Sequence, residues 1–165
     1  MVTVNDKMQQ GYQYELTAKE GELPSNFSPR VTPKQMLEMG VFGGLYMCDC
    51  SDEFPEWFDN AKLSPNYRDA RLNYFGIDAS QSLDVWRSKG WVTEQDPRGW
   101  FQWYCRFYAG RRCEGDLHQI KRWRQMSRHL GQILANCDVS DCSCRPKQRQ
   151  ALLHWGVLVD GSYSG

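Results

Sequence analysis

Aromatic rings interleave with carboxylates and amides along this chain: Tyr46, Asp49, Phe54, Trp57, Phe75, Asp78, Gln81, Trp86, Trp100, Trp103 and Tyr104, with Arg106 close behind. Small-molecule sites have that makeup, an apolar cavity with a few convergent polar groups. Rings that enclose a flexible guest can hold it in its reactive fold, so that freedom lost on binding is not lost again during reaction. A phenol, a guanidinium or a protonated carboxylic acid could then hydrogen-bond a carbonyl and stabilise charge as it shifts. The catalytic candidates are therefore Tyr46, Asp49, Asp78, Gln81 and Arg106. The substrate-binding candidates are Phe54, Trp57, Phe75, Trp86, Trp100, Trp103 and Tyr104. The chemistry they suggest is a cofactor-independent cyclisation or isomerisation of an apolar intermediate. Any one of these rings, taken singly, also fits a plain core position.

Other chemistries find less support. There is no Gly-x-Ser-x-Gly elbow, no phosphate-binding glycine loop and no His-Glu-x-x-His, and Gly40, Gly43 and Gly44 do not form a dinucleotide fingerprint. No cofactor is expected. Cys137, Cys142 and Cys144 are separated by four residues and then one, and Cys48 and Cys50 by one. Structural zinc favours two to four residues between paired cysteines, so no metal site is expected. A dyad joining Cys105 or Cys113 to His118, His129 or His154 would be spatial, and spacing does not test it. A basic segment is the main rival: Arg111, Arg112, Lys121, Arg122, Arg124 and Arg128 surround Trp123, and Arg145, Lys147 and Arg149 follow. Cations beside aromatics suit phosphate and base contacts. Arginine also stacks on rings inside a fold, which would absorb part of that signal. A third reading is a non-enzymatic interaction domain that docks partners on its acidic front half, around Asp52, Glu53 and Glu56.

The charge distribution frames these alternatives. Net charge is zero over 165 residues, yet residues 1–97 carry 9 Lys/Arg against 15 Asp/Glu, and residues 98–165 carry 11 against 5. Two halves that fold against each other would neutralise; a free basic half would meet a polyanion. Met1 to Tyr14 is polar and lacks the apolar run of a signal peptide. No apolar stretch approaches the roughly 20 residues that span a bilayer, so no membrane partner is expected. Seven cysteines, an odd number, with no export signal predict reduced thiols and a cytoplasmic protein.

The elements that would position these groups are mostly helical. With 7 Trp, 8 Tyr and 7 Phe, the core should be aromatic, since each buried ring removes about 150–250 Å² from water. Residues 1–30, polar and broken by Gly11, Gly21, Pro24 and Pro29, predict an irregular extended arm over the body. Thr32-Pro33 predicts a helix start, with Met36, Leu37 and Met39 inward and Gly40 as its end. The pair Gly43-Gly44 predicts a turn, and Pro55 to Phe58 a short helix. Asp78 predicts a helix running to Trp86 and stopped by Gly90. Asp96-Pro97 predicts a helix carrying Trp100, Trp103, Tyr104 and Phe107, ended by Gly110. Asp116 predicts a helix of about five turns with one apolar stripe from Leu117 through Ile120, Trp123, Leu130 and Ile133 to Leu134. A Cys- and Asp-rich loop over 137–144, a last helix from Pro146, and a candidate strand from Gly156 to Val159 complete the pattern. The fold class is mainly α: a single compact, irregular helical domain (31–165) with an aromatic-rich core and an extended N-terminal arm (1–30).

Several long motifs carry a resemblance: Gly40-Val41-Phe42-Gly43-Gly44-Leu45-Tyr46-Met47, Asn73-Tyr74-Phe75-Gly76-Ile77-Asp78-Ala79-Ser80, and Asp96-Pro97-Arg98-Gly99-Trp100-Phe101-Gln102-Trp103-Tyr104-Cys105-Arg106. Gly110-Arg111-Arg112, Gln119 to Trp123 and Cys144 to Trp155 add to it. Over residues 30–155 the chain resembles a family of small uncharacterised proteins of plants, fungi and bacteria. That family has no general activity, so the resemblance assigns no residue a role. Leu45 stands where a lysine is expected, and the stretch around Gly115 is less acidic; an apolar residue beside a glycine turn suits a greasy ligand. A weaker association links proteins of this size to fungal natural-product pathways and cofactor-free cyclases of the Diels–Alder type. Substrate, stereochemistry and oligomeric state stay open at this level.

Overall fold

The computed structural model describes residues 1–79, 89 and 92–163. The chain opens as an antiparallel hairpin of β1 (Val2–Asn5) and β2 (Gln10–Tyr14), where composition predicts irregular backbone. Val2 and Val4 alternate with polar residues, as do Tyr12 and Tyr14, and a period of two is the strand pattern. Val4 and Tyr14 are buried against the body while Thr3 and Gln13 are exposed. Register pairs Val2 with Tyr14 and Val4 with Tyr12, and slips between Val4 and Asn5. Asp6 holds the turn by accepting the N–H groups of Met8 and Gln9, a local bond typical of aspartate.

Helix α1 (Pro33–Met39) forms as its sequence predicts. Thr32 accepts from the Gln35 N–H, and the Gln35 side chain returns to the Thr32 N–H. Two otherwise unpaired donors are thereby satisfied. Met36 and Leu37 face the core, and the chain leaves at Gly40 with φ +89°; a Cβ there would stand 1.8 Å from the Leu72 carbonyl oxygen. A 3₁₀ turn at Pro55–Phe58 seats Trp57 and Phe58, and a second lies at Ala70–Leu72. The helix predicted from Asp78 to Trp86, with Gly90 as its stop, lies outside the described residues.

Helix α2 (Trp100–Ala109) is the centre of the fold: every residue from Trp100 to Phe107 is buried. It starts later than Asp96-Pro97 suggests, because Asp96 is turned inward to pair with arginines. It ends at Gly110, φ +125°, where a Cβ would meet the Ala18 carbonyl oxygen at 2.2 Å. The long helix predicted from Asp116 is broken in two, α3 (Asp116–Ser127) and α4 (Leu130–Asn136). At the break, His129, Gly131 and Gln132 each bond the carbonyl three residues back, the tighter 3₁₀ spacing. The turn ends the predicted stripe: Ile120 and Ile133 are buried, but Leu117 is 75% and Leu134 44% exposed.

Helix α5 (Pro146–Leu153) follows, with Pro146 at its first position. Val157 and Val159 are buried, but the predicted strand there is not formed, and among the described residues no partner strand lies beside it. Nor are all thiols reduced. Cys137 and Cys144 form a disulfide, Cα atoms 5.9 Å apart, while Cys48, Cys50, Cys105, Cys113 and Cys142 are free. Among the described residues helix outweighs strand, and no helix is long and apolar enough to cross a membrane.

Phe27, from the segment read as an arm, is the hub of the core. It is 1% exposed, and its ring lies 5.1–6.1 Å from those of Trp100, Trp103, Tyr104, Phe107 and Trp123. Edge-to-face pairs dominate, the arrangement that ring quadrupoles favour. A second cluster joins Ile133, Leu152, Val157 and Val159. Phe27→Ala is expected to cost about 3–5 kcal/mol of unfolding free energy, read from urea denaturation, because five rings lose a shared contact.

Candidate functional site

Arg106 is fully buried on α2, and all five of its N–H donors are used. Nε donates to Glu53 Oε2 at 2.8 Å; Nη1 to the Gln95 carbonyl at 2.6 Å and to Asp96 Oδ1 at 2.9 Å; Nη2 to Gln9 Oε1 at 2.9 Å and to Glu53 Oε1 at 3.1 Å. Burial works against its charge, but the Glu53 and Asp96 carboxylates outweigh it and raise its proton affinity. Arg111 completes the group with two bonds to Asp96, at 2.8 and 2.6 Å. Tyr14 donates to Glu53, and burial followed by that carboxylate pushes its phenol up. This guanidinium is a cross-link between hairpin, 3₁₀ turn and helix, and it has no donor left for a guest.

Asp49 and Tyr46 meet at Arg98 instead. Asp49 Oδ2 accepts from Arg98 Nη2 at 2.8 Å and from the Lys7 N–H at 3.0 Å. Burial raises the carboxyl, yet those two bonds prevail and hold it below its ordinary range. Arg98 also reaches Asp6 at 3.3 Å. The Tyr46 hydroxyl donates to the Arg98 carbonyl, and burial drives its titration well upward. Asp49 borders a crevice with Asp6, Cys50, Asp52 and Glu53, of about 60 Å³. Ligand pockets of drug-sized molecules run to about 300 Å³ and more.

The other candidates fall into separate groups. Trp100, Trp103 and Tyr104 close on one another and on Phe27, with Trp100 5.2 Å from Tyr104 and 5.6 Å from Trp103. Their polar atoms are satisfied within the protein: Trp100 Nε1 bonds the Gln119 carbonyl, Trp103 Nε1 Asp116, and the Tyr104 hydroxyl the Val31 carbonyl. Phe54 stacks on Trp57 at 4.7 Å, and Trp57 abuts Tyr108. Phe75 is half-buried against Tyr74, its N–H held by Gln150. Asp78 pairs with Arg68 at 3.1 Å near the surface. Phe42 lies between His154 and Tyr46, 4.8 and 4.7 Å from their rings, and burial lowers His154 to about 4. Gln81 and Trp86 lie outside the described residues. Of the thiols weighed for a dyad, Cys105 is fully buried and raised by that burial, and Cys113 donates to Asp116; among the described residues neither bonds a histidine.

The basic segment is sorted by the fold. Arg111 is spent on Asp96. Arg112 bonds the Glu22 and Phe107 carbonyls and lies 3.8 Å over the Phe107 ring. Arg122 turns inward to Gln119 and Trp155, and burial lowers it to about 10. Arg149 is wholly buried. Lys121, Arg124 and Arg128 stay exposed, with Leu117, at helical spacing on one face of α3 and its end. No acidic residue stands between Leu117 and Cys137. Among the described residues none of these three cations is in an ion pair with a carboxylate. Arg145 and Lys147, also exposed, open α5, which is tied to α4 by Gln148 and Gln132 at 2.6 Å. On the acidic side, Asp52 and Glu56 are exposed but Glu53 is internal.

Sequence reasoning did not find Glu53, Asp96 and Arg98 as a charged core, nor Phe27 as a ring hub. Composition holds no signal for which arginine is buried, and Asp96, which with Pro97 predicts a helix start, is instead turned inward to Arg106 and Arg111. Compared with family models, curated proteins and solved structures, the chain matches none.

Asp96→Asn should cost about 3–5 kcal/mol, since Arg111 would be left buried with a weakened partner. Thermal and urea unfolding of the variant measure it, and a change under about 1 kcal/mol would show that the pair is not structural.

Proposed function

We propose that this protein is a polyanion-binding module that lays the exposed face of α3 along a nucleic-acid phosphate backbone. The observation that carries the reading is the acid-free run 117–137, in which Lys121, Arg124 and Arg128 stand one helical turn apart and exposed, outside the internal charge network. Cations with no local carboxylate to neutralise them attract phosphate and release its counterions, without base recognition. Arg145 and Lys147 extend the positive charge beyond α4. The internal arginines contribute nothing directly; they fix the helices that display the others.

Titration of a fluorescent 20-base-pair duplex tests this. With three phosphates engaged, log K should fall against log salt with a slope near about −3, each contact adding about 0.9. Replacing Lys121 and Arg124 together with alanine should remove about two thirds of that slope and leave the melting temperature unchanged. No binding to duplex DNA or single-stranded RNA at about 20 mM salt would refute the reading.

Cofactor-free cyclisation of an apolar intermediate is the second reading. Half-buried Tyr46 and Phe75 favour it, because they pack at the margin of the ring cluster, whereas Trp100, Trp103 and Tyr104 are buried within it. It requires saturable, one-to-one binding of an apolar polyene, weakened at least tenfold by Phe75→Ala. Failure of such a probe to bind would reject this second reading.

A further inference from the structure

The loop 137–144 carries a group of sulfurs that phosphate binding does not use. Buried Arg149 sits at its centre with no carboxylate in an ion pair with it among the described residues, and its bonds to oxygen go to backbone carbonyls. Nε bonds Cys144 at 2.8 Å, Nη1 bonds Val139 at 2.8 Å and Val159 at 2.9 Å, and Nη2 bonds Asp138 at 3.2 Å and Asp141 at 2.9 Å. Four of these five carbonyls belong to one short loop, so the guanidinium gathers that loop into a ring. The Cys137–Cys144 disulfide closes the ring.

A third sulfur stands inside it. Cys142 is a free, exposed thiol, and its Sγ lies 4.0 Å from Arg149 Nη1. Reactive thiols are exposed and beside positive charge. The Cys144 N–H donates to the Asp141 carbonyl, so Cys142 and Cys144 lie in one tight turn. Two residues span at most about 7 Å even when extended, and a disulfide bridges Cα separations of about 4.4–6.8 Å, so a bent chain leaves this pair within reach of each other.

We propose that the 137–144 loop is a thiol–disulfide exchange site, with Cys142 as the thiol that attacks the Cys137–Cys144 bond. Cys142 loses its proton and its sulfur bonds the Cys144 sulfur; the Cys137–Cys144 bond breaks, and Cys137 leaves as a thiolate that takes up a proton. One disulfide and one thiol stand on each side, and no oxidant is consumed. A small thiol of the glutathione class enters the same cycle. Its thiolate opens the Cys137–Cys144 bond, joins one sulfur and frees the other. Cys142 then displaces it, and the small thiol departs with its own proton. Because Cys137 and Val139 pack on Ile133, Leu152, Val157 and Val159, exchange repacks the second core cluster.

The full chain, equilibrated in buffers of reduced and oxidised glutathione, quenched in acid, alkylated and mapped by mass spectrometry, tests this. Wild-type protein should divide its disulfide between Cys137–Cys144 and a form containing Cys142. After dilution from oxidised glutathione, Cys137→Ser, in which Cys142 is the loop thiol left to displace glutathione from Cys144, should release the mixed disulfide at least tenfold faster than the double variant Cys137→Ser, Cys142→Ser. Equal release from the two variants would overturn the proposal. So would a wild-type map in which Cys142 is alkylated completely at every glutathione ratio; that map needs no variant and decides the matter even if the serine substitution disturbs folding.

Discussion

A guanidinium taken out of water must have every N–H bonded and its charge balanced, or it destabilises the fold that buries it. Arg106 meets that condition only when three other pieces of chain are in place. Gln9 comes from the hairpin turn, Glu53 from the stretch before the 3₁₀ turn, and Gln95 and Asp96 from the approach to α2. The requirement is geometric as well as electrostatic, because the donors are fixed in a plane. Asp96 balances the charges of Arg106 and Arg111 together, and Asp49 and Asp6 do the same for Arg98, although Nε of Arg98 and of Arg111 has no hydrogen-bond partner among the described residues. The acidic front half and basic back half of the chain are thereby joined, and the hairpin is tied to the body by charge more than by apolar contact.

Around that charged seam the aromatic residues pack as a second system. The rings of α2 contact Phe27 from the N-terminal segment and Trp155 from the C-terminal half, and Phe27 in turn meets Trp123. The polar tips of Trp100, Trp103 and Tyr104 are bonded to backbone or to Asp116, whereas Trp123 Nε1 is buried with no hydrogen-bond partner among the described residues. Rings so engaged are rigid and make a scaffold. The same rigidity explains why the candidate pocket walls do not converge on one space: Phe54 and Trp57 pair with each other, Phe75 sits beside Gln150, and the three α2 rings face inward.

Fold and function are linked through the arginines. Those that serve as cross-links are withdrawn from the surface, and those left over define what the surface can attract. Arg149 is a third case, a cation solvated by carbonyls, and it shapes the one loop that carries both a disulfide and an exposed thiol. Arg106, Arg149 and Arg124 thus stand in three different environments: carboxylate pair, carbonyl cage and solvent.

Sequence by itself determined the local elements. Thr32-Pro33 with Gln35, the apolar spacing of Trp100 to Phe107, Gly110 and Pro146 act through backbone geometry and nearest neighbours, and they appear where their chemistry places them. The hairpin was legible too, in the alternation of Val2 and Val4 with Tyr12 and Tyr14, but polar composition masked it. Only the tertiary structure decided which arginines are buried, which carboxylates meet them, that Phe27 is a hub, and that Cys137 reaches Cys144. Those outcomes depend on partners brought together by the fold, from Cys137 and Cys144 seven residues apart to Gln9 and Arg106 97 apart, and an arginine's own sequence neighbourhood reads the same whether its charge ends in water or among carboxylates.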